Sequence, residues 1–579
     1  METEIKIETI EEIEHESYYL INLEPLTEEE EEVINPLVPP TSGLRMEILE
    51  RQDGRYILTN KKLMHFLRVL KAISVVAKEE LHKESPSILI VADDRPSADT
   101  LLDFASRIFQ YENYSIYQQD QEGTVLEGTN YVRGKSKMSA PYGSASIAIF
   151  DAIDVVLVLT ASHNALKWNG LKFYIKRPIP ISGGVMKSVS KHAISLTQIK
   201  LSKTYTPKMI NADQKNNDYI RELVSNIIDC SVLNGKKILL WPFLGVAPEI
   251  VQLIRSYGAE VMLIQEDRNP PDPTRGFDED MIKKKMHQNN IKIAVMLDAD
   301  RDRLVFLVKS KDRYVKLSSN ELYTSMMNII SKEMDKKFIN VRTIPSDPRC
   351  DDSSLVTFVT GVGYKHLGLI QYLAASREVP ESQLQSAILY HLNNGKYEKV
   401  QTTGDIEKII EDRNVYGDVI FALWEESGGH TFNILKISAE GDGTKISSKL
   451  PLIGDKYPAA AILVLCTLVE MGYELTDYID QSIVGTRTTI KATDEEKVEF
   501  LQDFSAKVGQ TVDVAGKQYE IGAFSNLEDK VAVIFFQSTD SMLYARPSGT
   551  GPKIRVYVFG NQSSANEELD AMAEYLKNY

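Results

Sequence analysis

Apolar residues fall along the chain in two rhythms. Short, largely apolar runs occupy 88–92, 155–159, 237–241, 260–264 and 291–297, and each reads as a strand, with 155–159 continuous, β-branched and buried. Between them, apolar positions recur at helical spacing over 60–78, 100–109, 247–257 and 320–334. A strand follows at 338–341, and the run 459–472 is apolar on every side, as expected of a buried connecting helix. Towards the end, strands are expected near 486–490, 531–536 and 554–558, with helices over 494–508 and 565–578. Segment 171–175 alternates as a strand with one face exposed. Strands alternating with helices predict an α/β protein built of layered sheets covered by helices.

At 579 residues the chain exceeds a single core, and about 150 residues per unit gives about four units. Composition and pattern divide it into an acidic N-terminal segment 1–35 and units at 36–203, 204–318, 319–484 and 485–579. The first segment carries five consecutive glutamates, Glu28 to Glu32, and dispersed Ile5, Ile7, Ile10 and Ile13. It is expected to be largely solvated, with part of it docking as a helix. The charged stretch 378–416 reads as a peripheral insertion, and the prolines of 269–273 mark a loop.

Charge narrows the function. A formal net charge of −16 disfavours nucleic acid and anionic membranes as partners, although a locally basic cleft could still take a small anion. Cys230, Cys350 and Cys466 are far apart and lack metal-ligand spacing, which suits a reducing compartment. No apolar run reaches the ~20 residues of a membrane span, and no secretion signal is evident, so a cytoplasmic protein is expected.

Four loops carry candidate chemistry. Between two strands lies Thr160-Ala161-Ser162-His163-Asn164-Ala165-Leu166-Lys167-Trp168-Asn169-Gly170, where Ser162 is displayed as a nucleophile or phosphoryl carrier would be. After the strand ending at Leu297 comes Asp298-Ala299-Asp300-Arg301-Asp302-Arg303. In an extended segment its three carboxylates would share one side, and hard oxygen donors favour Mg²⁺. Glu425-Glu426-Ser427-Gly428-Gly429-His430 offers carboxylates and a hydroxyl suited to sugar hydroxyls. Arg546-Pro547-Ser548-Gly549-Thr550-Gly551-Pro552-Lys553 combines cations, hydroxyls and glycine N–H groups into an anion cradle.

Taken in order, these loops resemble those of the α-D-phosphohexomutases, the phosphoglucomutase and phosphomannomutase family. Thr41-Ser42-Gly43-Leu44-Arg45, Asp93-Asp94-Arg95-Pro96-Ser97 and Thr360-Gly361-Val362-Gly363-Tyr364-Lys365 extend the resemblance across nearly the whole chain after the acidic segment. Ala165 stands where the family has proline, and Gly551 where many members have an acidic residue. The resemblance implies three related mixed-sheet α/β domains and a smaller C-terminal α+β domain around a central cleft. It implies an isomerase that moves a phosphoryl group between the 1- and 6-positions of a hexose, glucose first and mannose next. Phosphorylated Ser162 would be the carrier, and hexose 1,6-bisphosphate the intermediate and activator.

By the same resemblance Ser162, Asp298, Asp300 and Asp302 hold one Mg²⁺, Arg45 and Arg303 stabilise the transferring phosphoryl, and Lys172 is the first choice of general acid or base. His163 is the second choice, on the ordinary pKa of imidazole. Glu425 and Ser427 would hold the sugar, with Lys365 near its phosphate. Arg546, Ser548, Gly549 and Thr550 would grip the phosphate that is not reacting. Asp93 to Ser97 is read as scaffold. The expected partner is a phosphosugar, with the chain a monomer or weak homodimer. Alternatives are a mutase for glucosamine, N-acetylglucosamine or pentose phosphate, a non-catalytic sugar-phosphate-binding relative, and a metal-dependent phosphatase.

Overall fold

A computed structural model describes residues 5–8, 10–35, 43–52, 55–440, 443–548 and 552–578. Four large sheets organise the molecule. The first runs, in spatial order, Lys208–Ile210, Ser115–Gln119, Ser87–Ala92, Val155–Leu159, Trp168–Ile175 and Leu44–Glu47. The second runs Glu260–Leu263, Lys237–Pro242, Ile293–Leu297, Leu304–Ser310 and Arg313–Leu317. The third has seven strands, centred on Val356–Thr360, Phe338–Thr343, Gly417–Trp424 and His430–Glu440. The fourth is antiparallel throughout and runs from Ile483–Lys491 to Thr511–Val514, with Asp494–Ser505 and Ala565–Lys577 as its helices. Strand Lys208–Ile210 belongs to the first sheet, so that sheet extends past position 203.

The first three sheets share one plan. In each, three neighbouring strands are parallel, and the last of them turns into an antiparallel neighbour: Val155–Leu159 into Trp168–Ile175, Ile293–Leu297 into Leu304–Ser310, Gly417–Trp424 into His430–Glu440. The serine loop, the Asp triplet and the Glu-Glu-Ser loop occupy this same turn in the three sheets. Repetition of one turn therefore converges them on a common cleft.

Burial follows from this layering. Every residue of Val155–Leu159 and Ile293–Leu297 is buried, as expected of strands covered on both faces. Helix Ala459–Glu470 is buried from Ala459 to Val469 and joins a continuous apolar core that includes residues of the first three sheets. Among the described residues, no helix is long and apolar enough to cross a membrane.

Three expectations change. Trp168–Ile175 is not half exposed, because its polar residues face a polar interior: Lys172 meets Asp300 and Asp302, and the Tyr174 hydroxyl donates to Asp455 at 2.5 Å. Part of the acidic segment docks on the first unit as a helix, Glu28–Ile34, with Ile34 in that unit's core, but its earlier residues dock as strands instead of being largely solvated. Ile5–Ile7 pairs with Arg55–Leu58, and Tyr18–Asn22 with Gln198–Ser202. The glutamate run itself is helix Glu28–Ile34, started by a Thr27–Glu30 capping box and carrying its carboxylates at the favourable N-terminal end. Finally, 378–416 is not a peripheral insertion, since it supplies Leu389–Asn393, paired on both sides, and the edge strand Lys396–Lys399 to the third sheet.

Candidate active site

The serine loop is held from behind by Arg95. Its guanidinium donates to the carbonyls of Ser162 (2.5 Å), Asn164 (2.7 Å), Ala165 (2.8 Å) and Trp168 (2.9 Å), and pairs with buried Asp93 at 3.2 Å. Asp93 also accepts from Thr160 at 2.7 Å, and the Thr160 hydroxyl accepts from the Ser162 N–H at 2.8 Å. The scaffold role expected of Asp93 to Ser97 therefore has a physical form: it gathers carbonyls that would otherwise repel one another. Ser162 sits in the left-handed region with φ 52°.

Ser162 Oγ lies 3.2 Å from Asp298 Oδ2 and 3.2 Å from His163 Nδ1. The first and second sheets thus bring the serine and the Asp triplet together. The displayed hydroxyl anticipated above is not found in this state, because Ser162 is fully buried. Its side chain turns inward onto Asp298, while its neighbours Arg45, His163 and Lys172 line the cleft.

The Asp triplet is brought together by a turn rather than by an extended segment. Arg301 adopts φ 60° at its centre, and the N–H groups of Asp302 and Arg303 donate to Asp298 Oδ1 at 3.0 and 3.1 Å. One oxygen from each of Asp298, Asp300 and Asp302 lies within 4.8 Å of the others, and all three residues are buried. Asp300 Oδ1 and Asp302 Oδ1 are buried without a hydrogen-bond partner. Buried carboxylate oxygens left unpaired are costly unless a cation joins them, and an all-oxygen set suits Mg²⁺. The residues fit the ion.

Lys172 Nζ lies 2.8 Å from Asp300 and 2.7 Å from Asp302. Burial disfavours its charge, but the two carboxylates outweigh this and raise its pKa, so it stays protonated in this state. His163 moves the other way. Burial, then Arg303 and Arg45, depress its pKa far below the ordinary imidazole value, so the expectation of a favourable pKa fails and the ring is neutral. Arg303 lines the cleft with its Nε 3.6 Å from Asp302, and Arg45 lies near it, its pKa lowered by burial and by Arg303.

From the third sheet, Glu425 accepts from Ser427 and pairs with Lys456 at 2.8 Å. Burial would raise its pKa, but Lys456 and Ser427 hold it below the usual value. Lys365 follows Gly363, whose φ is 107°. Burial and the nearby Arg546 push the lysine down to about 8. His430 is buried, donates toward the Gly428 carbonyl (3.2 Å) and stacks on Tyr323 away from the cleft lining. From the fourth sheet come buried Arg546 and Ser548; Gly549 and Thr550, like Thr41 and Ser42, lie outside the described residues.

Lys456, Arg487 and Arg555 were not singled out in the sequence. Lys456 also approaches Asp302 at 3.6 Å, and Arg487 reaches Glu426 at 2.5 Å, tying the fourth sheet to the third. A charged Asp455-Lys456 pair just ahead of a wholly apolar helix was the available signal. The cleft is about 550 Å³ and, among described residues, is lined by ten lysines and arginines against five carboxylates. A chain of net charge −16 thus concentrates cations where an anion would bind.

Residues 38–200 match the model of the family described as Phosphoglucomutase/phosphomannomutase, alpha/beta/alpha domain I. A curated relative named phosphoglucosamine mutase, from Alkaliphilus metalliredigens, is 21% identical over 430 residues, 72% of this chain and 77% of the relative. Among solved structures, the open form of the exocytosis-sensitive phosphoprotein pp63/parafusin, titled a phosphoglucomutase, from Paramecium superposes with a TM-score of 0.62 at 14% identity, covering 97% of each chain. A phosphoglucomutase/phosphomannomutase family protein from Burkholderia thailandensis gives 0.58 at 13% identity, covering 94% of this chain and 97% of its own. These likenesses extend the fold over all four sheets.

Proposed function

Because the chain belongs to the α-D-phosphohexomutase family, we propose that it is a phosphosugar mutase interconverting hexose 1-phosphate and hexose 6-phosphate, with glucose the preferred sugar. The observation that carries the reading is Ser162 Oγ set 3.2 Å from the triplet carboxylate Asp298, on a cationic cleft. Phosphorylated Ser162 gives its phosphoryl group to the free sugar hydroxyl: the Oγ–P bond breaks, a sugar O–P bond forms, and the hydroxyl proton leaves. Neutral His163 can accept that proton, whereas Lys172, held protonated, can donate one. The bisphosphate turns over in the cleft, and Ser162 takes the other phosphoryl back.

Asp298, Asp300 and Asp302, with the phosphoserine, would hold Mg²⁺, which when bound supplies positive charge against the phosphoryl oxygens. Arg45 and Arg303 add to that charge. Glu425 and Ser427 orient the sugar hydroxyls, while Lys365, Arg546, Ser548, Gly549 and Thr550 hold the distal phosphate. The excess of cations also favours a doubly phosphorylated intermediate. We assign the units at about 36–210, 211–318, 319–484 and 485–579 on the same reading.

An amino sugar is the second reading, favoured by the name of the curated relative. Against it, the charge of Glu425 is already balanced by Lys456 and that of Glu426 by Arg487, so a sugar ammonium would find no uncompensated carboxylate there. The test supplies Mg²⁺, a trace of glucose 1,6-bisphosphate, and glucose, mannose or glucosamine 1-phosphate in turn. Fastest conversion of glucose 1-phosphate, lost in Ser162→Ala, is expected. Release of inorganic phosphate, or no turnover of any sugar, would refute the mutase reading.

A further inference from the structure

We propose that Asp94 and Arg301 are a positioning pair that anchors the metal loop to the serine loop across two sheets, so that the two halves of the site are aligned by one buried ion pair. Its kinetic consequence rests on the mutase reading; the pair itself does not.

Arg301 alternates with the metal-binding carboxylates and points away from them. It is buried, absent from the cleft lining, and donates to Asp94 Oδ2 at 2.5 Å, with its Nε 3.5 Å from Glu249 on helix Pro248–Arg255. Asp94 is fixed in turn by the Tyr131 hydroxyl at 2.6 Å. The neighbouring residue in the chain is Arg95, which gathers four carbonyls of the serine loop, Ser162's included. A short path therefore leads from Ser162 to the Arg95 guanidinium, along the backbone to the adjacent Asp94, and through its ion pair to Arg301, the residue between two candidate metal ligands.

Backbone geometry supports the assignment. The turn needs φ 60° at position 301, where glycine or asparagine is the unstrained choice, yet a bulky arginine stands there. A residue that accepts this conformation while its guanidinium is bonded to Asp94 and faces Glu249 serves through its side chain. The approach is close on the other side too: Gly245, with φ 68°, lies against Asp94 so tightly that a Cβ would sit 2.3 Å from its carboxylate. Among the described residues, the metal loop also meets the first unit through Ser162, Lys172 and Arg45 at the ligand carboxylates, and through the Ala140 N–H to the Asp300 carbonyl at 3.0 Å. An anchor separate from the ligands keeps the loop in place when those carboxylates are occupied. A loop without it would bind a cation only in the fraction of time its three carboxylates converge.

The test uses the full-length protein, wild type and the charge-neutral double variant Asp94→Asn/Arg301→Gly, whose glycine suits the turn. Three quantities are measured: Mn²⁺ affinity by titration calorimetry, kcat and KM for glucose 1-phosphate, and thermal unfolding. Expected are several-fold weaker Mn²⁺ binding and at least a tenfold lower kcat with KM within twofold, both partly restored in Arg301→Lys, which keeps the cation but not its fork. A folded double variant with kcat and Mn²⁺ affinity within twofold of wild type overturns the proposal, even if it melts earlier, because the pair would then be structural only. Should the double variant not fold, Arg301→Lys and Glu249→Gln decide on the same readings: graded losses support the anchor, and wild-type values reject it. If wild type turns over no sugar phosphate, the mutase reading falls and the Mn²⁺ measurement alone decides.

Discussion

Ser162 and Arg301 both hold left-handed backbone at the two loops that meet in the cleft. Such conformations cost about 1–3 kcal/mol each and persist where the surroundings enforce them, here through Arg95 and Asp94. Ser162, His163 and the Asp triplet could be singled out as candidates in the sequence, and the structure brings them together; the protonation of His163 could not be read there. His163 differs from a free imidazole because Arg303, Arg45 and burial act on it, and none of these is encoded beside it. His430 makes a cleaner test. Burial depresses it to about 4, so between there and about 6.5 the unfolded chain binds more protons than the folded one. Stability contributed by neutral His430 is therefore complete above pH 6.5 and falls as the pH drops, by up to about 1.4 kcal/mol per unit. Chemical denaturation across pH 4–7 should give a shallower acid loss for His430→Gln than for wild type; parallel curves would show that this histidine does not contribute.

At the scale of elements, the fold was legible where one segment decides its own environment. The runs at 155–159 and 293–297 are strands because unbroken apolar residues suit sheets covered on both sides. Reading failed where the partner is distant. Lys172 and Tyr174 look like the solvent face of a strand until Asp300, Asp302 and Asp455 are set opposite them. The N-terminal strands likewise exist only through pairing with Arg55–Leu58 and Gln198–Ser202. Arg95 shows how much one side chain can organise: removing it strips four carbonyls of a donor and leaves Asp93 buried without its cation. Arg95→Met should cost about 3–5 kcal/mol in denaturant unfolding, the usual penalty for breaking a buried ion pair from one side. A loss below about 1 kcal/mol, the scale of an exposed pair, would mean that the serine loop holds itself.

Over the whole molecule, three sheets repeat one topology and each delivers its turn to the same cleft, while the fourth closes it through contacts such as Arg487 with Glu426. The candidate motifs were readable because each is contiguous. The cationic lining was not, because Arg275, Lys316, Lys456, Arg487 and Arg555 arrive from separate segments. Under the proposed mechanism the cleft serves a phosphoryl group carried on Ser162, whose hydroxyl is covered in the present state. The most direct test is to incubate the protein with glucose 1,6-bisphosphate and Mg²⁺, map phosphorylation by peptide mass spectrometry, and then add glucose 1-phosphate. The account predicts a single phosphoryl group on the Ser162 peptide that disappears into the sugar on the second addition. An unmodified Ser162, or a phosphoserine that stays loaded in the presence of sugar phosphate, would contradict it.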